Sequence, residues 1–147
     1  MDSKINSDTI KLLRECDSGI KMGVGAIDDV MEHTSDQRFR DKLAKCRSEH
    51  KTLEKKTVEL LDKYHDNGKD PNPMAKGMSW IKTNMKLAAD GSDKTVAELI
   101  TDGCNMGVKS LNRFLNQYEA ADEVSKDITK RLINLEEKLA VDIRCYL

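Results

Sequence analysis

Cys46 and His50 stand four residues apart, one turn of helix, so that a thiol and an imidazole share one face. These side chains can ligate a metal together, or act as nucleophile and base. Phe39, Leu43, Leu53, Thr57, Leu60 and Tyr64 continue the same stripe in alternating steps of four and three, the seam of a bundle helix. Leucine packs better than either group at such a position. A thiol and an imidazole there need polar neighbours or a ligand.

The elements that must position this pair are helical. The chain has 147 residues, enough for one domain with a real core. Charged residues reach 35%, aromatics only 4%, and there are two prolines, a composition that favours long amphipathic helices. Lys and Arg total 25 against 26 for Asp and Glu, with the signs interleaved. That near-neutral balance speaks against a nucleic-acid partner. No apolar run resembles a secretory signal or approaches the roughly 18 residues of a membrane span. The expectation is a cytoplasmic protein without a membrane partner, whose four widely spaced cysteines are free thiols.

Five helical segments follow from the periodicity. The first runs from about Ser7 to His33 along Ile10, Leu13, Cys16, Ile20, Val24, Ile27 and Val30, with Ser7 as N-cap. Gly19, Gly23 and Gly25 within it predict either a close helix approach or a kink. Thr34-Ser35-Asp36 turns and caps the second helix, which stops at Asp66-Asn67-Gly68-Lys69-Asp70. Asn72-Pro73 opens a shorter helix over about 73–90, and Ser92 caps the next, about Asp93 to Glu119. The last spans about Glu123 to Tyr146. Similar lengths, two short hairpin turns and one long helical connection predict a four-helix bundle whose second and third long helices run parallel.

Asp17, Gly25-Ala26, Ser35-Asp36, Gly77-Met78-Ser79-Trp80 with Lys82 and Lys86, and Asp102-Gly103 carry a likeness over nearly the whole chain. On these residues it resembles the ferritin-like superfamily, and within it a branch of small bacterial four-helix-bundle proteins of unknown function. Active members hold two metal ions with a Glu from each of two helices and a Glu-x-x-His from each of the others. This chain departs from that pattern in every helix. Arg47 stands three residues before His50; Cys104 follows Gly103 where related proteins place Glu. Glu136 and Glu137 precede Leu139 and Ala140 rather than histidine, and the first helix offers Lys21 and Met22. The resemblance therefore implies a degenerate di-metal site without ferroxidase or oxygenase chemistry.

Counting from the helix ends in that topology brings Cys46, His50, Cys104 and Glu136 to one level, a set suited to zinc. The alternative is that the cysteines act as small hydrophobes, His50 bonds across the core and Glu136 is solvated. Asp17 is a second candidate partner for His50. A Cys-His nucleophile also needs an oxyanion pocket, and no motif supplies one. Met74, Met78, Trp80, Ile81 and Met85 form a methionine-rich face that either closes the bundle or serves as a homodimer surface, with Met74, Met78, Trp80 and Met85 the candidate contacts.

The sequence thus predicts an all-α, ferritin-like four-helix bundle with a helical crossover, one domain over 1–147. The expected role is structural or interactive, stress-associated by resemblance, with no catalytic residues and no resident cofactor. The competing reading is a metal-binding or redox-responsive bundle using Cys46, His50 and Cys104, with zinc or iron as the metal. A small-molecule site between the helices is the third.

Overall fold

The computed structural model describes residues 2–70, 81, 84–85 and 92–147. They form an all-α bundle of four helices: α1 (Asp2–Met31), α2 (Gln37–Lys63), α3 (Asp93–Gln117) and α4 (Glu123–Asp142). A short 3-10 turn, Arg144–Tyr146, closes the chain. Side-chain caps start three of the helices, two of them, Asp36 and Ser92, where the sequence placed them. Asp36 accepts from the Phe39 amide at 2.8 Å, and Asp122 from the Ser125 amide at 2.8 Å. Ser92 does the same for the Thr95 amide at 3.5 Å. Each bond satisfies an amide that the first helical turn leaves without a partner.

α1 begins five residues before the expected Ser7 cap. Asp8 and Thr9 face another element instead, accepting from the amides of Ala120 and Asp122 at 3.0 and 2.8 Å. Those bonds tie the α3–α4 turn to the start of α1. At the opposite end, both Asp93 carboxylate oxygens accept amides of the α1–α2 turn, from Ser35 at 2.7 Å and Asp36 at 2.9 Å. The starts of α2 and α3 therefore lie together, and these two helices run in the same sense. They are diagonal partners without substantial contact, whereas α1 packs on all three other helices.

Apolar side chains fill the interior in three groups along the axis. Ile27, Val30, Phe39, Leu43, Val96, Ile100, Leu139 and Ile143 lie at the α2 start, with Ile81 and Met85 among them. Ile20, Val24, Leu53, Leu111, Leu132 and Ile133 fill the middle, and Leu13, Cys16, Leu61 and Ile128 the far end. Of the residues read as an interaction surface, Met85 is buried in the first group; Met74, Met78 and Trp80 lie outside the described residues, as does most of the helix expected over 73–90. No helix among the described residues is long and apolar enough to cross a membrane.

Candidate functional site

Between the first and middle apolar groups the interior turns polar. His50 on α2 sits one turn from Cys46, which belongs to the first group, and three residues from Leu53 of the middle one. Glu136 on α4 lies likewise between Leu139 and Ile133. Both are buried, His50 to 2% exposure and Glu136 to 8%. Their side chains meet across the bundle, with Nε2 of His50 3.8 Å from Oε1 of Glu136.

The other two helices make room for them. A Cβ on Gly23 of α1 would come within 3.0 Å of Nε2 of His50. One on Gly107 of α3 would overlap Oε2 of Glu136 and lie 2.8 Å from its carboxyl carbon. The layer thus takes one residue from each helix, two large polar groups and two glycines. Gly23 makes room for an imidazole, while no atom of the described residues lies within 4 Å of the position a Cβ would take on Gly25.

Nδ1 of His50 lies 2.8 Å from the carbonyl oxygen of Cys46 and 3.5 Å from its sulfur. A carbonyl can only accept, so Nδ1 carries its hydrogen and the remaining nitrogen faces Glu136. Burial works against the imidazolium, but the Cys46 thiol and the Glu136 carboxylate outweigh it and push His50 up to about 10. Burial raises the Glu136 carboxyl above the usual carboxylate range, with His50 pulling the other way. Neither Nε2 of His50 nor Oε2 of Glu136 has a hydrogen-bond partner among the described residues.

Cys104, buried on α3, belongs to the same neighbourhood: burial, reinforced by Glu136 and Cys46, drives its thiol far above the ordinary range. The structure therefore brings Cys46, His50, Cys104 and Glu136 to one region of the bundle. Yet Cys46 and Glu136 flank opposite nitrogens of the imidazole, so the ring separates them and one ion cannot take both together with His50. No three His, Cys, Asp or Glu side chains among the described residues are arranged to hold a metal.

Asp17 is not a partner of His50. It lies nearer the far end of α1, where its Oδ2 accepts from Lys21 Nζ and from the Lys69 amide, each at 2.9 Å. Gly23, six residues on, is the α1 position level with His50. Cys16 packs at the far end, its sulfur 3.1 Å from the Thr129 hydroxyl, and burial pushes its thiol up to about 12. Cys145 is exposed. An open groove of about 300 Å³ runs between residues 42–49 of α2 and 135–142 of α4 and includes Cys46, but not His50, Cys104 or Glu136.

Gly107 is the residue that sequence reasoning missed. Its signal was a second helical glycine one turn after Gly103, three residues from Cys104. Comparison of the chain with family models, curated proteins and solved structures found no match.

Proposed function

We propose that the chain is a non-enzymatic bundle of ferritin-like connectivity, carrying a degenerate di-metal site and acting as a structural or interaction protein. One observation carries this reading. The buried carboxylate that could serve a metal faces an imidazole instead, sealed between apolar layers and fitted against two glycines. An ion pair of this kind holds two helices together and leaves no open coordination position for a substrate. The parallel sense of α2 and α3 supports the ferritin-like connection; the proposed dimer contact through Met78 and Trp80 rests on the methionine-rich sequence alone.

The test is metal content and oligomeric state together. Protein purified without added metal should carry less than about a tenth of an equivalent of zinc or iron, and a chelator should leave its melting temperature unchanged. Light scattering should give a dimer that Met78→Glu dissociates; a monomer indifferent to that change removes the interaction role. A second reading keeps a single divalent cation near His50, because its Nε2 lacks a hydrogen-bond partner. Near-stoichiometric zinc, lost in His50→Gln and in Glu136→Gln, would decide for it and against the first.

A further inference from the structure

Cys46, His50 and Glu136 stand in series: sulfur to Nδ1 at 3.5 Å, then Nε2 to carboxylate at 3.8 Å. The first member of that series lines the groove between α2 and α4. We propose that Cys46 is a modification site, the buried thiol of this chain that a small polar oxidant such as hydrogen peroxide reaches and converts to a sulfenic acid.

Access comes first. Cys46 retains 5% exposure, and the groove on which it borders is wide enough for a peroxide molecule many times over, at about 300 Å³. Leu135 and Leu139 line the same groove, while Lys45, Lys138 and Glu49 bring polar groups to it. The other two buried thiols do not border it. Cys16 is fully enclosed at the far end against Thr129, whereas Cys104 keeps 7% exposure but lies on α3 outside this groove, so the groove and the Nδ1 contact, not exposure, set Cys46 apart.

Assistance comes from the ring. The Nδ1 hydrogen of His50, 2% exposed, is shared between the Cys46 carbonyl and the sulfur, so a partial positive charge stands beside the reacting atom. Glu136 at the opposite nitrogen stabilises that charge. The step balances without a further reagent. A sulfur electron pair attacks one peroxide oxygen, the O–O bond breaks, and the departing oxygen leaves as water with the thiol hydrogen. Sulfur loses two electrons and peroxide gains them. The new S–O oxygen is then a better acceptor than the thiol for the Nδ1 hydrogen. This inference does not depend on the chain being an interaction protein.

The experiment uses full-length Cys145→Ser protein, treated with hydrogen peroxide and dimedone under native conditions and mapped by peptide mass spectrometry. The expected result is a dimedone adduct on Cys46 forming at least about tenfold faster than on Cys16 or Cys104. His50→Gln should slow the Cys46 adduct by about tenfold and leave the other two unchanged, which separates local assistance from general loosening. If His50→Gln does not fold, Leu135→Trp, which fills the groove and spares the ring, should slow Cys46 alone. Cys46 labelled no faster than Cys104, or labelled at a rate that follows global unfolding, overturns the proposal. So does a folded His50→Gln protein that reacts at the parental rate.

Discussion

Two glycines on α3, one turn apart, should respond in opposite directions to the same methyl group. At Gly103 no atom of the described residues lies within 4 Å of a Cβ, so Gly103→Ala feels only the helix propensity and should stabilise by about 1 kcal/mol. Gly107→Ala gains the same about 1 kcal/mol, but its Cβ overlaps the Glu136 carboxylate. The carboxylate must then leave His50, and breaking a buried pair costs about 3–5 kcal/mol. The net effect is a loss of about 2–4 kcal/mol, near 6–12 °C in melting temperature at about 3 kcal/mol. Urea unfolding of both variants measures the difference directly, provided the slopes agree with the parent. Truncating the obstruction supplies the internal control, since Gly107→Ala in a Glu136→Ala background should become neutral or stabilising. If Gly107→Ala is as stable as Gly103→Ala in the parent chain, the carboxylate does not occupy that position and the polar layer is wrong.

Other expectations follow from the same contacts. Because folding raises His50 from 6.5 to about 10, its contribution is fully present below about pH 6.5 and lost as pH rises through about 10. On the His50 shift urea midpoints should fall on going from about pH 6 to about pH 10, and His50→Gln should flatten that fall; the raised Glu136 carboxyl acts in the same sense from its ordinary value of 4.5 upward. Asp17→Ala removes the acceptor for Lys21 and the Lys69 amide; it should cost about 2–3 kcal/mol and speed tryptic cleavage after Lys69. Single changes His50→Leu and Glu136→Leu should each destabilise by about 3 kcal/mol, while the double variant returns to parental stability or exceeds it. A double variant as unstable as the sum of the singles would show that the pair is not a coupled unit.

The bundle was legible because its signals are local. Asp36, Ser92 and Asp122 cap where they precede a periodic run, and the seam from Phe39 to Thr57 is buried as its spacing required. Beyond Thr57 the buried residue is Leu61, and the expected Leu60 and Tyr64 are only partly buried, a drift that a straight 3.6-residue helix imposes on a seven-residue repeat. Ser7 misled because a good capping residue is also tolerated inside a helix, and its neighbours Asp8 and Thr9 serve a turn more than a hundred residues away. The polar layer was half legible. Cys46 and His50 stood out on one stripe, whereas Glu136 sits beside the Leu132-Leu135-Leu139 line, solvated by periodicity and brought to their level only by counting helix register. Glycine carries no chemistry in a sequence, so what Gly23 and Gly107 leave room for appears only when four helices are assembled.

The position of the polar layer bears on what it does. The apolar groups on either side contain interchangeable Leu, Ile and Val, and such a core tolerates a slip of one helix along another. The His50–Glu136 pair does not. A slip of one turn moves one helix by about 5.4 Å and parts Nε2 of His50 from the Glu136 carboxylate, leaving two buried polar groups without each other. Four contributions, one from each helix, must coincide for the layer to close, so it selects one register of α2 against α4 from those the apolar layers permit. The same coupling gives Cys46 its reach. An oxygen added to its sulfur draws on the hydrogen that orients His50, and His50 is the contact through which α2 reads its register from α4. Chemistry at the groove is thereby transmitted to the element that fixes how the bundle is packed.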